Sequence, residues 1–452
     1  MRTLRKRYYF WLVKAYIKRW KRTILTSLII GIIISGSGIL LLNFYIRPSL
    51  DNKIQRIGVF GIYTPENLPE NIISDVSYGL TAITENGSIK PAAAQRWEVK
   101  QDGKEYVFYL KKNLVFHNGD VLNAHTLPLS FKDAQKNVID DYTVSYLLDA
   151  PYSPFLATVA KPILHEDFSG LGNYILRDIE LNAGYIQSLV LQDKNDRLHK
   201  KILYFYPTQA ALKTAYMLGE VDQVSGVLSP QLEDKNLSTW SNTTVEKKVN
   251  YDQLVTLFYN NADSNLSNKK YRQALNYALP ESFSDGQRAF SPIPPNSMYF
   301  AHVPNFGISD IDIAREVLQT SGVPSDHVIE ITTTTDLEET AHDLSKQWEK
   351  AGIKSRIKVI DEVHKLAPNF HVLLYKYRLP VDPDQYTFWH SDQVNNIGKY
   401  KNLRIDKLLE DGRLEIDSDE RITIYADFQK YLLDDVPASF LYFPMEYTIT
   451  RK

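Results

Sequence analysis

The residues best suited to chemistry in this 452-residue chain are two carboxylates flanking one proline, Asp382-Pro383-Asp384, with Trp389 and His390 shortly downstream. Two acids so placed can divide into a general acid and a general base if their surroundings pull their pKa values apart. A proline between them also makes a rigid turn, which is the simpler account of the same residues. The ten histidines are scattered, and His117, His125, His371 and His390 have no partner at metal-ligand spacing. Nucleophile-elbow, phosphate-loop, dinucleotide and zinc-helix motifs (G-x-S-x-G, G-x-x-x-x-G-K-[ST], G-x-G-x-x-G, H-E-x-x-H) are absent. With no cysteine, the chain has no disulfide, no thiolate metal site, no cysteine nucleophile and no lipidated cysteine. No enzyme activity and no cofactor are expected.

What must position these residues is read from charge and periodicity. Residues 1–22 carry nine Lys/Arg and no acid, and Thr23 to Ile46 runs without a charge. A helix rising about 1.5 Å per residue crosses the hydrocarbon core in about 20 residues. The run is therefore expected to be an uncleaved anchor through the bilayer at 23–46, with the cationic segment held on the cytoplasmic side and everything after Arg47 outside. No small-residue cleavage site follows it, only LNFYIRPSL. The aromatic residues among the first cations suit a helix at the lipid interface. Beyond residue 22 there remain 43 basic against 54 acidic residues. An acidic body of this kind argues against nucleic acid as a partner, because phosphate binding needs cationic surface.

The exterior part reads as strands alternating with helices, an α/β or mixed α+β class. Residues 47–53 form a stalk, and Ile54–Ile62 has strand character. Asn67–Ile83 is expected to be helical, and Asn123 or Thr126 to open a further helix. Asp102-Gly103 is a hairpin signal between strands Trp97–Lys100 and Tyr106–Lys111. Thr208 caps a helix at 209–218 that stops at Gly219. Helices are also expected at Lys270–Leu279, Ile311–Ser321 and Glu338–Ala351, and at Asp419–Leu433 with Ser418 as cap. The turn glycines Gly87, Gly103, Gly119 and Gly219 read as chain punctuation rather than as contacts for a ligand.

Several segments, in order, resemble the bacterial extracellular solute-binding proteins of family 5, the peptide/nickel-type receptors of ABC importers. NLPENIISDVSYGLTAITENGSIKPAAAQRWEVKQDGKEYVFYLKKNLVFHNGDVLNA is similar to the family's opening signature, and GLGNYIL at 170–176 to its G-T-G-P-Y turn. ALKTAYMLGEVDQ at 211–223, KKYRQALNYAL at 269–279, DIAREVLQTSGV, the helix holding Trp348, and DPDQYTFWHS with the long segment after it follow in family order. The resemblance implies a two-lobed periplasmic-binding-protein-like fold with an extra subdomain, behind one transmembrane helix. It implies lobe 1 at 54–255 with an inserted subdomain at about 81–165, lobe 2 at 256–436, and a return to lobe 1 at 437–452. Leu254–Asn260 and Pro437–Phe443 would cross between the lobes. The implied function is capture of a peptide or other small organic solute between the lobes and delivery to ABC permease subunits. Tyr63, Tyr375, Tyr377, Asp382, Asp384, Trp389 and His390 are the residues expected at the cleft.

One departure bears on the ligand. Peptide-binding members of the family carry an Asp three residues before the first acid of the D-P-D segment, where it holds the ligand's α-ammonium; this chain has Leu379 there. A buried ammonium without a counter-charge is costly, so dependence on a free amino terminus is not expected. The alternatives are a surface sensor or chaperone-like protein on the same fold, and a cell-envelope hydrolase using Asp382 or Asp384.

Overall fold

The computed structural model describes residues 2–42, 54–304 and 307–452, with side chains described from Tyr8 onward. The expected stalk at 47–53 and residues 43–46 of the expected span lie outside the described residues. Arg2–Leu41 is one 40-residue helix whose regular dihedrals break at Trp20 (φ −107°, ψ 15°), three residues before the charge-free run begins at Thr23. Its described side chains are exposed, and the stretch Tyr8–Leu41 is long and apolar enough to cross a bilayer. From Thr23 to Leu41 the helix rises about 28 Å, close to the thickness of a hydrocarbon core.

Among the described residues, twelve strands join into one extended sheet, and a single strand holds its two halves together. The C-terminal strand Ala438–Arg451 pairs at its start with Gln253–Tyr259 and, from Met445 on, with Thr243–Val249 and Gln223–Val227. The first half adds Ile54–Phe60, Lys200–Tyr206, Tyr185–Asp193 and Tyr174–Asn182. The second adds Val372–Arg378, Val328–Thr334, Lys354–Ile360 and the short Gly286–Arg288, which pairs with Tyr442–Pro444. The change of partners falls at Phe443–Met445, and the other crossing at Asn250–Asp252. Leu254–Asn260 and most of Pro437–Phe443, the expected crossings, therefore sit within the second half, because each pairs along its length with that half's strands.

Local signals explain most helices. Thr208 accepts a hydrogen bond from the Ala211 amide, and Gly219 at φ +80° ends Gln209–Leu218 in the left-handed conformation that glycine adopts without cost. In Glu338–Lys350, Ala341, Leu344 and Trp348 fall on one buried face, and the Trp348 indole donates to the Leu275 carbonyl. Three expectations are corrected. The helix expected over Asn67–Ile83 is confined to Glu70–Val76, since Thr81–Ile83 pairs with Ile89–Pro91 and Gly79 lies so close to the Val159–Ala160 backbone that a Cβ would come within 2.4 Å of it. No helix follows Asn123: its side chain accepts from the His125 and Thr126 amides, both at 2.9 Å, and the chain continues as a turn into the strand Ala134–Asp140. The last helix, Ser418–Asp435, is capped by Asp417 and not by Ser418.

The first half carries a separate four-stranded sheet, in the order Ala94–Lys100, Glu105–Leu110, Thr143–Leu148, Ala134–Asp140, around a core that includes Tyr106, Phe108, Tyr146 and Phe155. It reaches the second half through the Ser153 amide and hydroxyl, which donate to the Arg413 and Gly412 carbonyls at 2.7 and 3.0 Å. Two large apolar clusters fill the second half, one on each face of its sheet.

Candidate functional site

Where the two halves meet at the crossings, the chain leaves a cavity of about 610 Å³. Its wall comes from segments far apart in sequence: the turn Thr84–Gly87, the connection Lys248–Asp252, the loop around Ile293–Ser297, and Leu379–Gln385, with Glu446 on the crossing strand. The turn is local in origin. Gly87 at φ +83° lets its amide reach back to the Thr84 carbonyl at 2.9 Å. Gly87, read from sequence as punctuation, thus stands in the cavity wall. The neighbouring backbone closes one side, since the Asn296 amide group donates to the Glu85 carbonyl (2.9 Å) and the Met298 N–H to the Asn86 carbonyl (2.8 Å).

Leu379 lines this cavity. It continues the ladder in which Gln253 faces Arg378, and its N–H donates to the Asp252 carbonyl at 2.8 Å. Residues opposite one another in such a pair project to the same face. Asp252 is therefore the cross-strand neighbour of Leu379.

None of the seven residues singled out by sequence lines the 610 Å³ cavity. Asp382 is taken by Arg421 in a two-pronged pair at 2.6 and 2.9 Å, with both side chains nearly buried. Burial works against the Arg421 charge, but the Asp382 carboxylate more than offsets it and holds the guanidinium above its ordinary pKa. Asp384 accepts from Arg413 at 2.8 Å and also caps the Tyr386 amide. Pro383 and Gln385 alternate with the two acids and face the cavity. Trp389 is buried against Phe258 and Phe440, and His390 stacks on Tyr386 at 4.2 Å with Nε2 3.4 Å from Glu410. Tyr375 and Tyr377 border a second cavity of about 1470 Å³ walled wholly by the second half. Tyr63 packs edge-on against Phe205 in the first half, its hydroxyl donating to the Phe60 carbonyl at 3.0 Å and its pKa raised by burial.

The polar residues that do line the cavity include Glu85, Asp252, Glu446, Lys248 and Gln385. None of the four charged ones belongs to an ion pair among the described residues. Glu446 accepts from the Asn250 side chain. Sequence reasoning missed all five. Asp252 and Gln385 each lie within a few residues of something it did weigh, but no spacing rule joins positions 85, 252, 385 and 446.

Residues 88–398 match the family model described as bacterial extracellular solute-binding proteins, family 5 Middle. The chain is 22% identical over 431 residues to the dipeptide-binding protein of Escherichia coli K12, covering 77% of this chain and 79% of that one. Its fold is similar to that of the ABC transporter substrate binding protein CtaP from Listeria monocytogenes, with a TM-score of 0.75 at 21% identity, spanning 88% of this chain and 94% of that one. NikZ from Campylobacter jejuni, solved in complex with Ni(L-His), superposes with a TM-score of 0.71 at 18% identity, over 88% of this chain and 94% of its own.

Proposed function

The chain belongs to family 5 of the bacterial extracellular solute-binding proteins, and on that premise we propose that it captures a peptide or another small organic solute in the 610 Å³ cavity and delivers it to an ABC-type permease. The observation that carries this is the composition of the wall, half from each lobe with the crossings at its back. Lobes whose chain passes between them only at two short crossings can part and close about them, and closure is favoured by a solute that binds the closed form more tightly. The residues expected of a hydrolase are otherwise engaged, Asp382 by Arg421 and Asp384 by Arg413.

The Arg2–Leu41 helix supports capture at a membrane surface, with the run from Thr23 spanning and the nine cations of residues 1–22 inside. On this reading the full-length protein stays in the membrane through carbonate extraction, and added protease reaches residues 54–452 from outside only. A soluble form beginning near residue 48 would instead mark a cleaved signal.

The function is tested by extracting the full-length protein in mild detergent, identifying by mass spectrometry the solutes released on denaturation, and recovering bound partners. A defined small solute together with permease subunits is the expected result. Recovery of folded protein chains in place of a solute, with no permease, would favour the chaperone-like alternative.

A further inference from the structure

We propose that the stretch Tyr8–Arg22 is an arm that bends at Trp20, lies flat on the cytoplasmic leaflet and binds the headgroups of anionic phospholipids. This rests on the reading of Arg2–Leu41 as an uncleaved anchor with its cations inside. The helix is 40 residues long, about 60 Å, or about twice the thickness of a hydrocarbon core. Thr23–Leu41 already fills that thickness, so the residues before it stand either upright in water or along the surface.

Composition favours the surface. From Leu4 to Arg22 every residue is aliphatic, aromatic or cationic, and no acid occurs before Asp51. Upright, the arm would hold six aromatic residues in water, since they are 46–74% exposed, with ring contacts at Tyr8–Tyr9 and Tyr16–Trp20. Orienting the chain across a membrane takes the cations alone and gives no reason for the rings. Tyr and Trp rings, apolar in body and polar at one tip, gather at the headgroup level. Lysines there keep their stems in the apolar layer and their ammonium groups among the phosphates.

Spacing gives the arm two faces. At about 100° per residue, Tyr9, Leu12, Val13, Tyr16 and Trp20 (i, i+3, i+4, i+7, i+11) fall on one stripe, and Lys14 and Lys18 on the opposite one. Arg19 borders the apolar stripe and Trp11 the cationic one. The break in helical dihedrals at Trp20 falls where such an arm must turn from the surface into the bilayer, and Lys21 and Arg22 follow it directly. A neutral leaflet would seat the rings without using the cations. Beside an anionic one, each cation raises affinity about fivefold.

Because the chain has no cysteine, a spin label can be placed at one position at a time. Full-length protein carrying Leu12→Cys or Lys14→Cys is reconstituted in nanodiscs of phosphatidylcholine, with or without phosphatidylglycerol. Accessibility of each label to oxygen and to a water-soluble nickel chelate is then compared. With phosphatidylglycerol, the label at position 12 should be reached by oxygen and shielded from the chelate, and the label at position 14 the reverse. Omitting the anionic lipid, or introducing Lys18→Gln, Lys21→Gln and Arg22→Gln together, should open position 12 to the chelate, since three cations shift the balance about a hundredfold. Both labels in water in every disc show an upright arm and overturn the proposal. Shielding at position 12 that persists without anionic lipid shows apolar seating alone and overturns the recognition of headgroup charge. Shielding that appears only when permease subunits are added assigns the arm to a protein and also overturns it. A mature chain that begins beyond residue 46 carries no label: the anchor reading then fails and the arm with it, whereas the other outcomes leave the anchor standing.

Discussion

Removing one member of the Asp382–Arg421 pair strands a charge in the second lobe, where the Arg421 side chain is 6% exposed and that of Asp382 13%. Arg421 also donates to the Gly412 carbonyl at 2.8 Å, so it ties the D-P-D turn to the end of the helix Leu403–Leu414. Asp382→Ala or Arg421→Ala should lower unfolding free energy by about 3–5 kcal/mol, the usual consequence of leaving a buried partner uncompensated. Denaturant unfolding measures it. Loss of solute affinity at the same folded concentration, without loss of stability, would return Asp382 to the list of functional acids. Arg272 has a similar structural meaning. It donates to the carbonyls of Leu266, Ser267, Asp435 and Val436, which explains why an arginine stands in the KKYRQALNYAL segment.

At the scale of elements, the helix Ser418–Asp435 gives a simple discrimination. The Asp417 carboxylate accepts from the Asp419 and Glu420 amides at 2.9 and 3.0 Å, and its charge also suits the positive end of the helix dipole. Asp417→Ala should cost about 1 kcal/mol in thermal or denaturant unfolding and Ser418→Ala little; the reverse order would place the cap one residue later. The GLGNY turn is held by His117, whose Nδ1 accepts from the Gly170 amide at 3.2 Å and whose Nε2 lies 3.0 Å from the Gly172 carbonyl. That arrangement requires the neutral ring with the proton on Nε2. Burial lowers the His117 pKa, only partly opposed by the Gly172 carbonyl. A histidine with a depressed folded pKa takes up its proton first in the unfolded chain, so stability is unaffected well above pH about 6.5 and falls as pH drops below it. His327, lowered by burial and then by His371, acts in the same direction. Unfolding midpoints measured from pH 7.5 to 5 should therefore fall with acidification, and less steeply in His117→Gln. An unchanged slope would mean that His117 does not contribute.

At the scale of the molecule, the lobes meet through a few polar contacts. The Glu70–Arg378 pair at 2.7 Å joins them, but both side chains are more than half exposed, and such a pair is worth at most about 1 kcal/mol. The lobes should accordingly open without solute. The Met298 N–H bond to the Asn86 carbonyl breaks when they do, so hydrogen exchange at Met298 should be fast in the empty protein and slow once solute is bound. Protection that is equal with and without solute would indicate a cavity that does not open at this side.

Features generated by neighbours in sequence were legible in the sequence. The apolar run after the cations, the Thr208–Gly219 helix limits, the buried stripe of Ala341, Leu344 and Trp348, and the hairpin about Asp102-Gly103 each follow from periodicity or from one capping residue. The order of weak motifs carried the family, because an order along the chain survives where single residues drift. What the sequence could not contain was register. Whether Leu379 meets the cavity depends on which strand runs beside it, and whether Asp382 and Asp384 are free depends on arginines 39 and 29 residues away. The aromatic and acidic residues around 375–390 satisfied one another in the core and in ion pairs. Meanwhile the cavity was assembled from residues near 85, 250, 295, 380 and 446 that meet only when one long strand passes from lobe to lobe.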